Sequence, residues 1–373
     1  MTNHPRAVAY INLDILEENY RSIRNLLSPG VKLLCVVKAD AYGHGSIEIS
    51  KRLRSIGVDY LGVATVDEGV KIREAGIETP LLIMSGLFPW EETDPLMKYN
   101  LTPVVYEEGF FKRILNGPER AEKSLKVHIK FDTGMGRLGF APSEAQKVAR
   151  MAKSLTGVEV EGLMSHFSAS ETRDDYGNAQ IEMFRKVIAE FEQEGLRPPV
   201  THMANSGAVV NYPEGHFSMV RVGICLYGSH PSPEVEERLP LKQVMKVATR
   251  IAFLREFPSG AALSYGRTYV TDKPAKIAYI PVGYSDGYPR SLSNKGLVLI
   301  NNRKCSIVGR VCMDWILADV TGLGSVKAGD EVILLGEGKE GERISANEMA
   351  HSAGTIPYEV LCKISGRVVR VYG

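Results

Sequence analysis

The sequence predicts an α/β fold, an N-terminal (β/α)8 TIM-like barrel followed by a mainly-β C-terminal domain. Three observations carry that prediction. Eight short apolar runs recur between Leu33 and Val222, each bounded by polar or turn residues and too short for a helix, as strands buried on both faces are. Most are separated by segments with helical periodicity, the repeated βα pattern of a parallel sheet. Beyond a proline-bearing stretch from His230 to Pro240 the pattern changes to apolar runs separated by short turns, which reads as a β-rich domain.

In chain order, Leu16, Tyr20, Ile23 and Leu27 recur at helical spacing from Leu13 to Leu27, and Ser28-Pro29-Gly30 stops the pattern. The candidate strands are Leu33 to Val37, Tyr60 to Ala64, Pro80 to Met84, Thr102 to Tyr106, Lys126 to Phe131, Val158 to Met164, Val200 to Met203 and Ser218 to Val222. Helical periodicity fills Ile47 to Ile56, Val66 to Ala75, Ala145 to Leu155 and Ile181 to Phe191. Eight βα units favour a closed barrel over an open doubly wound sheet. The stretch from His230 to Pro240, with three prolines among charged residues, reads as an extended linker, so the expected domains are 1–235 and 236–373. After it, strands are expected at Val247 to Phe253, Ile277 to Val282, Leu297 to Ile300, Ile307 to Val311, Ile316 to Val320 and Val332 to Leu335. Ser345-Ala346-Asn347-Glu348 has the capping-box arrangement of a short helix, and a last strand follows near Val368 to Val371.

Composition narrows the function. The 373 residues carry 45 basic and 44 acidic side chains with no basic block, so nucleic acid is not an expected partner. No stretch approaches the length needed to cross a bilayer and the N-terminus lacks an apolar leader, so a cytoplasmic protein with no membrane partner is expected. Five cysteines without close pairing argue against disulfides and against a zinc or other metal site. Cys35, Cys225 and Cys362 sit in apolar runs and read as core thiols.

The most informative segment is Val36-Val37-Lys38-Ala39-Asp40-Ala41-Tyr42-Gly43-His44-Gly45. It places an amine where a buried strand stops. Apolar neighbours strip hydration from the ammonium and favour the neutral amine, the species that attacks an aldehyde in Schiff-base chemistry. Other suspect residues, His166, Asn205, Ser206 and Arg221, also fall at or just past strand ends, where barrel enzymes build their sites. Ser206 follows the seventh strand and Gly223-Ile224 the eighth, the usual barrel position for a phosphate.

The Lys38 segment resembles the cofactor-lysine motif of the pyridoxal-phosphate-dependent bacterial alanine racemases. The resemblance extends through Lys130-Phe131-Asp132-Thr133-Gly134-Met135-Gly136-Arg137-Leu138-Gly139, His202-Met203-Ala204-Asn205-Ser206-Gly207-Ala208, Arg221-Val222-Gly223-Ile224, Ser264-Tyr265-Gly266, Val282-Gly283-Tyr284-Ser285-Asp286-Gly287 and Gly309-Arg310-Val311-Cys312-Met313-Asp314. Seven motifs in family order make it specific.

The resemblance implies a fold-type III enzyme that interconverts L- and D-alanine on pyridoxal 5'-phosphate and supplies D-alanine for the bacterial cell wall. It implies Lys38 and Tyr265 as the two catalytic bases, one for each face of the α-carbon. Because a phenol has a reference pKa near ~10, Tyr265 needs help to act as a base, and the family supplies it through His166 and Arg221. It implies cofactor contacts from Tyr42, Ser206, Gly223, Ile224 and Tyr358. Arg221 addresses the pyridine nitrogen, and a guanidinium there leaves the ring unprotonated and favours racemisation over transamination. Arg137 and the Met313 backbone amide are implied for the substrate carboxylate, and Lys130 for carbamylation that orients Arg137. Tyr284, Arg290, Arg310 and Ile356 match the family's substrate entrance, where Glu171 replaces the common aspartate. A homodimer with shared sites follows, because Tyr265 and Met313 would come from the partner. Two alternatives stay open on these residues: a broad-specificity amino-acid racemase of the same fold, and a non-enzymatic pyridoxal-phosphate-binding barrel.

Overall fold

The computed structural model describes residues 5–115 and 124–373. Its first strand, β1 (Ala7–Ile11), precedes eight more: β2 (Lys32–Val36), β3 (Tyr60–Val63), β4 (Leu81–Ile83), β5 (Thr102–Val105), β6 (Leu125–Lys130), β7 (Val158–Met164), β8 (Val200–His202) and β9 (Met219–Val222). Strands β2 to β9 pair in parallel and close into a barrel, with β9 returning to β2 in the register Lys32↔Met219 to Cys35↔Val222. The eight expected strands are these eight. Leu33, Leu34, Leu61, Leu82 and Ile129 are all but inaccessible, and each such side chain stabilises the fold by about 1.5–3 kcal/mol through burial. Truncating Leu61 to alanine would therefore cost about 2–5 kcal/mol, transfer and cavity terms together.

Helices cover the barrel. In Leu13–Arg24 the buried side chains are Leu16, Asn19, Tyr20 and Ile23, and the Asn12 side chain caps the start by accepting the amides of Asp14 and Ile15. The helices Ser46–Ser55, Val66–Glu74, Ala145–Lys153 and Asp175–Gln193 coincide with or contain the expected segments.

The second domain consists of β10 (Met245–Arg250), β11 (Phe253–Phe257), β12 (Ala262–Leu263), β13 (Tyr269–Val270), β14 (Ala275–Ile280), β15 (Leu297–Ile300), β16 (Arg303–Ser306), β17 (Ile316–Asp319), β18 (Glu331–Glu337), β19 (Arg343–Ile344) and β20 (Val369–Tyr372). One sheet runs β16-β15-β18-β10-β1-β20 with β19 on β18, a second runs β11-β14-β17, and β12 pairs with β13.

Five details differ from the sequence expectation. Residues 7–11, counted with the barrel in 1–235, lie between β10 and β20 in the second domain's sheet, because Ala7, Ala9 and Ile11 present a buried face there. The supposed linker contains a helix, Pro233–Arg238, capped by Ser232 and anchored by buried Val235; Ser-Pro is a helix-start signal as well as a turn signal. Val247 to Phe253 is not one strand, since the chain passes at Ile251-Ala252 from one sheet to the other. Ile307 to Val311 is interrupted by Gly309 at φ 75°. Cys362 is exposed rather than a core thiol, at the end of the short helix Pro357–Cys362.

Among the described residues no helix is long and apolar enough to cross a membrane.

Candidate active site

A cavity of about 390 Å³ opens at the C-terminal ends of the barrel strands. Lys38, Lys130, Arg137 and Arg221 bring four cationic groups to its wall. Tyr42, Ser206 and Tyr358 bring hydroxyls, Gly223 and Ile224 bring backbone, and His166 completes the expected set. Met84, Ser85, Leu138, Met164 and Asn205 line it too, and no carboxylate does among the described residues.

Lys38 follows β2 after one residue, Val37, and the chain then makes a left-handed turn. Ala39, Asp40, Ala41 and Tyr42 have φ of 51°, 53°, 55° and 53°, a conformation costing about 1–2 kcal/mol per non-glycine residue. The surroundings over-determine it. Glu68 accepts the Ala39 amide at 2.7 Å, the His44 ring donates from Nδ1 to the carbonyls of Ala41 and Tyr42 at 3.0 Å each, and Asp40 accepts the Ser46 amide at 2.8 Å. The turn brings the Tyr42 hydroxyl over Gly223, where any side chain would overlap it. Burial raises the Tyr42 and Tyr358 phenols, so both stay protonated as donors for an anion.

The cations are electrostatically frustrated. Burial, then the Arg137 charge, lowers the Lys38 ammonium. Lys130 is 5% exposed, and burial with Arg221 and Arg137 beside it brings it down to about 8. Neither amine has a hydrogen bond or ion pair among the described residues. Arg137 sits on a loop organised by Asp132, whose carboxylate accepts the amides of Gly134, Met135, Gly136 and Arg137 at 2.7–3.1 Å.

Arg221, on β9, is 4% exposed. It donates to His202 Nδ1 at 2.8 Å, His166 Nδ1 at 2.9 Å and the carbonyls of Ser165 and Met203 at 2.8 and 3.0 Å. Burial and Arg137 lower it to about 9, which leaves it cationic at neutral pH. Burial first, then the Arg221 charge, holds His166 and His202 well below the usual imidazole value, so both rings are neutral.

Tyr265 and Met313 do not line this cavity. They are 72% and 53% exposed on the second domain. Tyr265 follows Ser264, whose φ 62°, ψ −177° is a region almost confined to glycine. Tyr284 and Ile356 are exposed as well, and neither they nor Arg290 and Arg310 line the cavity. The Glu171 carboxylate accepts the Ser170 amide at 2.8 Å.

Residues 11–231 match the family described as alanine racemase, N-terminal domain, and residues 244–372 its C-terminal domain. The chain belongs to the alanine racemase family. An alanine racemase of Halothermothrix orenii is 43% identical over 365 residues, covering 98% of this chain and 96% of the relative. The alanine racemase of Bacillus anthracis, solved with bound L-Ala-P, superimposes with a TM-score of 0.92 at 30% identity, covering 100% and 96% of the two chains. That of Bartonella henselae, solved with covalently bound pyridoxal phosphate, has a TM-score of 0.88 at 29% identity over 99% of each chain. This family member is thus an isomerase that interconverts L- and D-alanine.

Sequence reading passed over Glu68, which joins the Lys38 turn to the next strand end by also accepting the Ala64 amide. Its signal was the Thr65-x-x-Glu68 capping box. Asp132 was legible only as part of a motif.

Proposed function

We propose that this alanine racemase binds pyridoxal 5'-phosphate in the cavity and works as a homodimer, with Lys38 and Tyr265 of the partner subunit as bases on opposite faces of the α-carbon. In the bacterium it would supply D-alanine for the cell wall. One observation carries the reading: four cations, four hydroxyls and no carboxylate converge on one cavity among the described residues. Such a wall is complementary to a phosphate and a substrate carboxylate together. The covalently held cofactor of the Bartonella henselae enzyme and the L-Ala-P of the Bacillus anthracis enzyme support it.

The site fits the cofactor. Its phosphate would be held by the hydroxyls of Tyr42, Ser206 and Tyr358 and the amides of Gly223 and Ile224, where the absent side chain of Gly223 leaves room. The Gly223 amide already meets Ser206 Oγ at 3.0 Å. When bound, the cofactor supplies an aldehyde for the Lys38 amine and an electron-withdrawing ring for the substrate's α-carbon.

The chain's own residues do the rest. Arg221 Nε–H has no partner among the described residues, which leaves it as a donor for the ring nitrogen. The Arg221 guanidinium keeps its proton at neutral pH, so the ring stays unprotonated and reprotonation remains on the α-carbon. Arg137 matches a carboxylate bidentately, with the Met313 amide of the partner subunit. Lys38, its ammonium already disfavoured by burial, moves a proton on one face. On the other, His166 Nδ1 accepts from Arg221, so its proton resides on Nε2, from which it can stabilise the phenolate of the partner's Tyr265. Exposure of Tyr265 and Met313 on a free chain is what shared sites require.

Lys130 completes the charge balance. With its amine near 8, about a tenth is neutral at pH 7, against less than a thousandth for an ordinary lysine. The neutral amine is what adds carbon dioxide, and the resulting carbamate would give Arg137 its missing anion.

The test uses the purified, cofactor-loaded protein. Borohydride should bleach the visible band, leave the reduced adduct on Lys38 by mass spectrometry, and abolish D/L-alanine interconversion. An adduct on another lysine sinks the assignment.

A further inference from the structure

Behind Arg221, away from the cavity, a file of hydrogen bonds crosses the barrel interior. His202 on β8 receives the Arg221 guanidinium on Nδ1 at 2.8 Å. Its Nε2 lies 2.7 Å from Nδ1 of His128 on β6, and Nε2 of His128 lies 3.3 Å from Oε2 of Glu161 on β7. Glu161 is 6% exposed. Its other oxygen accepts from half-exposed Lys126 at 2.8 Å. Four neighbouring barrel strands thus contribute to the file: β9 with Arg221, β8 with His202, β6 with His128 and Lys126, and β7 with Glu161.

The direction of every bond is set by the two ends. Arginine has no acceptor, so His202 Nδ1 must accept and His202 must carry its proton on Nε2. That proton goes to His128 Nδ1, which places His128's own proton on Nε2, aimed at Glu161. An ionised carboxylate can only accept, so the far end demands the same direction. A second proton on His128 would set two N–H groups against each other across 2.7 Å.

Two further features show that the file is built in. Gly162 lies opposite His128 in the β6–β7 register, and a Cβ there would come within 2.6 Å of the His128 ring, so glycine makes room for the imidazole. None of the buried polar atoms left without a partner belongs to these residues.

We propose that Glu161 is a positioning residue for the racemase site: through His128 and His202 its carboxylate orients the bonds behind Arg221 and holds that guanidinium as a fixed donor to the cavity. The proposal rests on the role given to Arg221 above. Electrostatics agree with it. Burial lowers the His128 imidazole despite Glu161, and the His128 and Lys126 contacts outweigh burial to bring Glu161 down to about 2, so the carboxylate is charged and both rings neutral at working pH. A plain structural ion pair between Glu161 and Lys126 would need neither histidine.

The test starts from 15N NMR of the histidine-labelled, full-length protein, with and without cofactor, His128 and His202 being assigned by substitution. Both rings should be the Nε2–H tautomer from pH 6 to 9; an Nδ1–H or doubly protonated ring at either position overturns the proposal. This readout needs no variant of Glu161 and no activity, so it stands even if the cofactor assignment fails. In the holoenzyme, Glu161→Gln should shift the His202 resonances, lower kcat about tenfold with KM within twofold, and raise the transamination by-product, the scale of losing one charge-assisted hydrogen bond. Lys126→Met, which removes only the outer ion pair, should keep kcat within about twofold. Equal losses in the two variants, or none in Glu161→Gln, would overturn the assignment.

Discussion

Arg221, on β9, donates across 2.9 Å to Nδ1 of His166, which follows β7 two strands away in the barrel. That contact fixes which nitrogen of His166 carries the proton. It also couples the residue proposed for the cofactor ring to the one proposed to assist the second base, so the two functions should fail together when Arg221 is changed.

Arg221→Glu tests this. The new carboxylate would face the carbonyls of Ser165 and Met203, and leaving those acceptors unpaired should cost about 2–4 kcal/mol of stability. In the fraction that folds, racemisation should fall at least about a hundredfold and pyruvate from transamination should appear. A variant that racemises normally without by-product would contradict the ring-nitrogen role.

Gly223→Ala should weaken cofactor binding. The added methyl overlaps the Tyr42 hydroxyl, and Tyr42 cannot easily retreat, with Tyr227 and Tyr358 rings 5.0 and 6.0 Å away. Overpacking of this kind costs about 1–3 kcal/mol, a cofactor Kd raised roughly 5- to 150-fold. Titration of the purified variant with pyridoxal phosphate measures it, and a Kd within twofold of wild type counts against the cradle.

The second base is expected from the neighbouring chain. Mixing inactive Lys38→Ala and inactive Tyr265→Ala subunits should restore activity in heterodimers, each of which has one intact site. No recovery after verified subunit exchange would end the shared-site reading. Alone, Tyr265→Ala retains Lys38 and should exchange the α-proton of D-alanine in deuterated solvent much faster than that of L-alanine. Equal exchange from both enantiomers would contradict one base per face.

Lys130 should make the cofactor-free protein's stability depend on alkaline pH. Its amine is at about 8 when folded against 10.5 for the ordinary side chain. Between those values the unfolded chain binds more protons, so stability rises with pH there, and the full cost, roughly 3 kcal/mol, applies below pH 8. In carbonate-free buffer Lys130→Met should therefore be more stable than wild type at pH 7, by an amount that shrinks from pH 8 to 10.5. Denaturant titrations check this. With 13C-bicarbonate, wild type should show a carbamate carbon signal that the variant lacks.

Both proposed bases lie beside strained backbone. Lys38 precedes four left-handed residues, and Tyr265 follows Ser264 at a glycine-like conformation. Neither segment announces this in composition, since Ala39, Asp40 and Ala41 have no preference for φ > 0 strong enough to predict it. The strain persists because contacts from Glu68, His44 and Arg370, distant in sequence from one another, hold the first turn.

What the sequence determined by itself was whatever short-range pattern encodes: eight buried strands, the helices between them, the change to a β domain, and the strand-end lysine, serine, glycine and arginine brought to one cavity. Burial on both faces and helical spacing are local properties, and a closed barrel gathers its strand ends without further instruction. Only the tertiary structure decided that β1 crosses into the second domain and that Glu161, His128 and His202 line up behind Arg221. Those depend on pairings between residues tens to hundreds of positions apart. A side chain's hydrogen-bond partner is a matter of register and facing, and the amino-acid order leaves both open until the barrel closes.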